Sequence, residues 1–205
     1  GAVRVRVDNT YGAKPLTTGR AFVGQRNSGA ALVPGSNRPL LFGKEPSSTV
    51  PSGGSVTSDP VALSVVAGQD HTVSLYVPDS DVHPSQHAGA MTTSYMSAPG
   101  SGDVAADESR RPFTDTTTAF FWVKSIDVQT TSSTGAIVAF GDSITDGTCT
   151  TLDAHDRWAD WLSARLDLAD PKRGSAGLRK SVVNEGIGGN TATRANLRPP
   201  PDSAP

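Results

Sequence analysis

The chain has 205 residues, a formal net charge of −2 and an apolar content of 36%. That length suits one large domain or two modest ones. The near-neutral charge offers no attraction to nucleic acid or an anionic membrane, and no apolar run is long enough to span a bilayer.

Gly (21) and Pro (15) are plentiful and aromatic residues make up only 6%, which predicts many turns and short strands. In the opening stretch Val3, Val5 and Val7 alternate with Arg4, Arg6 and Asp8, the pattern of a half-buried strand. It begins with no initiator Met and no leader, which predicts that something upstream has been removed. Further strands are expected at 21–24, 39–42, 55–57, 61–66, 72–77, 91–95 and 119–128. Turn clusters such as Pro34-Gly35-Ser36-Asn37 and Pro51-Ser52-Gly53-Gly54 separate them. Many short strands between regular turns predict an all-β sandwich, jelly-roll-like, over residues 1–134. The polar stretch 99–115 is expected to be a surface loop.

Residues 130–135 read as a linker, after which the pattern changes. The apolar run Ala136-Ile137-Val138-Ala139 predicts a strand buried on both faces. It leads into Phe140-Gly141-Asp142-Ser143-Ile144-Thr145-Asp146-Gly147. A helix is expected at 156–168, with Trp158, Trp161, Leu162, Arg165 and Leu166 on its core face. Asp153 or Asp156 can cap its start, and it should stop before Pro171. A second buried strand follows at 181–184, then the loop Glu185-Gly186-Ile187-Gly188-Gly189-Asn190. Strand, helix and strand make a right-handed βαβ unit whose two loops open at the same edge of a parallel sheet. One such unit cannot cover its own sheet, so residues 135–205 are expected to be the front part of a larger α/β domain.

The chemistry concentrates in those two loops. Ser143 sits where a strand gives way to a helical segment, and backbone N–H groups there favour developing negative charge. Glycines at 186, 188 and 189 let a backbone N–H approach a substrate oxygen, and the Asn190 side chain can orient the loop. A nucleophile beside oxyanion donors is what acyl transfer requires. Other readings fit less well. Thr145 replaces the second glycine of a Gly-x-Ser-x-Gly elbow, and Thr191 replaces the third glycine of a dinucleotide loop. His83 and His87 have metal-ligand spacing for a helix, but Pro84 opposes one and no acidic third ligand is suitably spaced, so surface histidines and no metal are expected. His155 reads as a helix-start or surface residue rather than a base, Trp122 as strand core, and Cys149 as an inert buried thiol. Cys149 is the sole cysteine, so no disulfide closes within these residues, which fits a cytosolic protein or an exported one whose partner cysteine lies on another piece.

Gly141-Asp142-Ser143-Ile144 resembles the first signature block of the GDSL, or SGNH, hydrolase family, and Val183-Asn184-Glu185-Gly186-Ile187-Gly188-Gly189-Asn190-Thr191 resembles the second. Val5-Arg6-Val7-Asp8-Asn9-Thr10-Tyr11-Gly12, Ser58-Asp59-Pro60-Val61 and Thr72-Val73-Ser74-Leu75-Tyr76-Val77-Pro78 resemble the β-rich region ahead of the catalytic domain in some secreted bacterial members. The resemblance implies a flavodoxin-like α/β hydrolase domain with a parallel sheet over 135–205, and carboxylic ester hydrolysis through an acyl-serine intermediate without cofactor or metal. It implies Ser143 as nucleophile, the N–H groups of Ser143 and Gly189 as oxyanion hole, and Asp142 as support for the turn. Short acyl groups such as acetyl, on a carbohydrate or a small ester, and export from a bacterium are implied in the same way.

The family's Gly-x-Asn-Asp and Asp-x-x-His blocks do not occur in these 205 residues. A serine with no base is a poor nucleophile. The expectation is that this chain does not turn over alone, and that a second polypeptide carries both blocks, separated by a cut in the Pro-rich stretch after residue 198. The competing expectation is a non-catalytic β-sandwich that binds a glycan or protein, attached to an inactive hydrolase remnant.

Overall fold

The computed structural model describes residues 1–66, 68–130, 133–168 and 179–191. In chain order its elements are β1 (Ala2–Asp8), β2 (Leu16–Thr18), β3 (Arg20–Ser28), β4 (Ala31–Leu32), β5 (Arg38–Leu40), β6 (Ser48–Val50), β7 (Ser55–Thr57), β8 (Val61–Ala62) and β9 (His71–Tyr76). There follow β10 (Gln86–His87), β11 (Ser94–Ser97), β12 (Phe113–Thr117), β13 (Phe120–Phe121), β14 (Val123–Gln129), β15 (Ser133–Gly141), α1 (Ser143–Asp146), α2 (Trp158–Leu168) and β16 (Arg179–Gly186). The chain divides into two compact units, one of Gly1–Ala88 with Thr93–Gln129, the other of Gly89–Thr92 with the chain from Thr130 onward.

In the first unit the alternation read in β1 decides the packing. Val3, Val5 and Val7 are buried while Arg4 faces water. β1 pairs antiparallel with β14, β7 and β8, and β3 pairs antiparallel with β4, β5 and β9, giving two four-stranded sheets. The valines of β1 meet Ala21 and Val23 of β3, Leu40 of β5 and Leu63 in one core, joined by Leu16 and Val50 from the β2–β6 ribbon. Side chains from both sheets thus share a single interior.

Three expected strands differ in outcome. The run 119–128 is broken at Trp122, whose φ of 56° takes it out of the extended region. Its N–H donates to the Ser85 carbonyl at 2.9 Å and its carbonyl accepts from Asp8 N–H at 2.6 Å. The chain on either side pairs with different strands, β13 with β10 and β14 with β1. Trp122 itself lies half-buried against the core. The strand expected at 91–95 begins later, at Ser94, because Met91 has φ 48° and lies with the second unit. Of 61–66, β8 takes only Val61–Ala62, and Val65 and Val66 are exposed.

The second unit holds the only parallel pair among the described residues. β15 and β16 run in register from Ala136↔Ser181 to Gly141↔Gly186. Burial on both faces, expected from the apolar run, is not found. Ala139 is 4% exposed, but Val138 is 58% and Phe140 70% exposed, and Val183 is exposed as well. Helix α2 packs on β16, and no described element covers the face bearing Val138 and Phe140. The inward side of the helix is rotated from the expected one. Leu162 and Leu166 of the expected face are half-buried, joined by the buried Ala159, while Trp158, Trp161 and Arg165 of that face form, with Leu168, an adjacent exposed stripe. Of the expected linker at 130–135, the residues from Ser133 on belong to β15 instead; Thr131 and Ser132, the expected stop before Pro171 and the Pro-rich stretch after 198 lie outside the described residues.

The loop at 99–112 carries no strand, yet it is fastened to the β4–β5 turn. The Glu108 carboxylate accepts from Gly35 N–H at 2.7 Å and Asn37 N–H at 2.9 Å, and its carbonyl accepts from Leu32 N–H at 2.9 Å. Those backbone donors hold the Glu108 carboxyl below its ordinary value, the Gly35 bond contributing most. A lowered carboxyl stabilises the fold above its unfolded-state pKa and stops doing so as pH falls through the folded-state value. Glu108→Gln should therefore lower the unfolding midpoint at neutral pH, and the gap to wild type should close in acid, as measured by urea unfolding across pH.

Candidate functional site

The parallel register sets the site. Gly141 and Gly186 are partners at the ends of β15 and β16, so the serine turn and the glycine loop leave the sheet side by side. Ile187 N–H donates to the Gly141 carbonyl at 3.1 Å, tying the second loop to the base of the first.

Ser143 is the first residue of α1, half-buried, with Ile144 beside it 76% exposed. Asp142 is the N-cap: its extended backbone (φ −96°, ψ −153°) lets Oδ1 accept from Ile144 N–H at 2.9 Å. Its carbonyl accepts from Asp146 N–H at 2.9 Å. At the other end Gly147 is left-handed (φ 105°), and the N–H groups of Gly147 and Thr148 both donate to the Ser143 carbonyl, at 3.0 and 2.9 Å.

Helix and strand approach each other more closely than a side chain would permit. A Cβ on Gly186 would stand 2.1 Å from Asp146 N, so backbone packs directly on backbone there. Asn184 spans the same junction. Its Nδ2 donates to the Thr145 carbonyl at 2.7 Å, and its Oδ1 accepts from Gly186 N–H at 2.9 Å. Arg157, just ahead of α2, donates from Nε to the Asp146 carbonyl at 3.0 Å and lies 3.4 Å from Asp160 through Nη1.

Gly189 lies in a tight turn closed by Asn190 N–H donating to the Ile187 carbonyl at 3.0 Å. Its φ of 84° is what the third position of a type II turn demands. It is exposed, and nothing lies within 4 Å of where a side chain on Gly188 would be. Asn190 enters the loop through this backbone bond. The two expected oxyanion donors thus belong to neighbouring loops of one sheet edge, each with its backbone conformation fixed locally.

The other candidates are placed differently from expectation. Asp156 does not cap α2; its carboxylate accepts from Thr151 N–H at 3.1 and 3.2 Å. The start of α2 is closed by Asp160, which reaches back to Arg157 N–H at 3.1 Å. Cys149 is exposed rather than buried. Cys149, Asp153 and His155 all have positive φ (72°, 61° and 50°), so the segment between the serine turn and α2 is tightly coiled. His155 is exposed.

The motifs include Asn184 within the second block without a role of its own, and they overlook Arg157. Asn184 does leave a trace, as the lone amide closing the apolar run at 181–184. Arg157 leaves none, because the carbonyls it serves are 11 and 67 positions away.

The GDSL-like Lipase/Acylhydrolase family matches residues 137–198, a range that takes in both loops and bears out the resemblance read in the two signature blocks. No curated protein matches the chain. At the level of the family, the match supports a hydrolase of ester bonds.

The capping bond has a measurable value. Asp142→Ala should remove about 1 kcal/mol of local stability. Amide exchange at Ile144 should then accelerate about fivefold while exchange in β1 and β3 stays unchanged, as read by NMR.

Proposed function

We propose that the protein is a serine ester hydrolase with Ser143 as its nucleophile and the N–H groups of Ser143 and Gly189 as its oxyanion donors. The observation that carries this reading is the pairing of Gly141 with Gly186, which launches both loops from one edge of a parallel sheet. Ser143 Oγ adds to the ester carbonyl carbon, and the resulting oxyanion is met by the two backbone donors. Collapse breaks the bond to the alcohol and leaves an acyl-serine; water then attacks the acyl carbon, releasing the acid and restoring the hydroxyl. A histidine takes the serine proton and passes it to the departing alkoxide, oriented by an aspartate. Asp142 and Asn190 support the two turns. No metal or cofactor takes part in these steps.

The base is assigned to an Asp-x-x-His block outside residues 1–205, since no such block occurs within them. We assign that block, with Gly-x-Asn-Asp, to protein sequence outside these residues that forms further strands of a flavodoxin-like sheet. Val138 and Phe140, uncovered by any described element, support a larger domain, because a parallel sheet ordinarily has a covering layer on each face. Short acyl groups such as acetyl, on a carbohydrate or a small ester, are the proposed substrates and export the proposed location; both rest on the family resemblance.

The test uses the native assembly purified through a tag on this chain. A fluorophosphonate probe should label Ser143 alone, as located by mass spectrometry. Ser143→Ala should abolish labelling and ester turnover, and His155→Ala should preserve both. Absence of labelling in wild type, or persistence in Ser143→Ala, overturns the reading in favour of a binding module with an inactive remnant. Gly189→Ala, which forces a side chain onto left-handed backbone, should cut the maximal turnover rate about a hundredfold.

A further inference from the structure

Resting on Ser143 as the nucleophile, we propose that Arg157 is the positioning residue of the serine turn, acting through the backbone carbonyl of Asp146. Helix α1 is a single turn, and its last carbonyls have no partner inside it. Asn184 serves the Thr145 carbonyl, and Arg157 Nε serves that of Asp146 at 3.0 Å. Asp146 is itself buried, and its N–H bonds the carbonyl of Asp142, the residue before the nucleophile. One peptide turn therefore separates the guanidinium from Ser143.

The guanidinium is held from its other sides. Nη2 donates to the carbonyl of Ala90, a buried residue of the Gly89–Thr92 segment that belongs to the same unit. Nη1 faces Asp160 Oδ2 at 3.4 Å, and that oxygen also accepts from Arg157 N–H at 3.1 Å, so the carboxylate fixes both ends of the residue. The side chain is 14% exposed. Its stem fills the space over Gly147, where a Cβ would stand 2.6 Å from Arg157 Cγ. All three guanidinium nitrogens are thus committed to acceptors on three separate segments. Only a planar fork does this; an ammonium offers a point charge with no such geometry. Displacing a nucleophile by about 1 Å costs on the order of a hundredfold in rate, so the position of the Asp146 carbonyl matters to Ser143 without any contact between Arg157 and substrate.

The experiment compares wild type, Arg157→Ala and Arg157→Lys in the native assembly, using a fluorophosphonate probe at graded concentrations and amide exchange by NMR. Both variants should lose about a hundredfold in maximal labelling rate, with the half-saturating probe concentration unchanged. Millimolar guanidinium, but not ammonium, should restore Arg157→Ala. Exchange at Gly147 and Thr148 should accelerate in both variants while β1 and β3 stay protected. Wild-type labelling rates in the variants, or a loss that follows general unfolding and is not restored by guanidinium, overturns the proposal. If wild type itself is not labelled, the esterase reading fails. The exchange data then decide the clamp separately: faster exchange at Gly147 and Thr148 upholds it, and unchanged exchange removes it.

Discussion

A helix of four residues has almost no stability of its own, because the first turn fixes several backbone dihedrals for a single hydrogen bond. Ser143 stands on such a turn, so its position is set by everything that grips the turn from outside. Asp142 secures the leading N–H, Gly147 and Thr148 return to the Ser143 carbonyl, and Asn184 and Arg157 take the two carbonyls that face away. The bare backbone of Gly186 completes the seat by letting the strand touch the helix directly. No single bond among these is strong. Together they convert a marginal element into a fixed platform, drawing on the helix's own flanks, on β16 and on the residue ahead of α2.

This distribution explains what could be read in advance. The alternation in β1, the apolar run of β15 and the serine and glycine blocks are local patterns, and each predicted its element or turn. The parallel pairing followed from order alone: strand, helix, strand. What escaped reading depends on separation in the chain. Arg157 reaches a carbonyl 67 positions away, and no pattern near it announces that contact. Trp122 looked like strand core because its neighbours are aromatic, but the backbone turns left-handed there to pass between two pairings. The helix face was misjudged for a related reason. Trp158 and Trp161 dominate any count of hydrophobicity, while little Ala159 is the residue that the packed side buries.

The two units differ in how completely they hide their apolar residues. In the first, Val3, Val5, Val7, Val23, Leu40 and Val50 are almost wholly withdrawn from water, while Val65, Val66, Phe120 and Val128 lie exposed outside that core. In the second, Val138, Phe140, Ile144, Trp158, Trp161 and Leu168 remain exposed across the sheet and helix. Scattered apolar exposure is ordinary at a protein surface, and in the second unit it falls on the strand and helices around the serine turn.

The membership of Gly89–Thr92 has a consequence for anyone handling the gene. Although these residues are encoded far upstream, they belong to the serine-bearing unit, where Met91 accepts from Asp153 N–H and Ala90 receives the arginine. A cloned piece opening at codon 130 would look like a natural module boundary and would nevertheless leave a structural strut behind. Grafting the unit onto another scaffold means transplanting two separate pieces of sequence together: a short peptide and a long one that are neighbours only after folding.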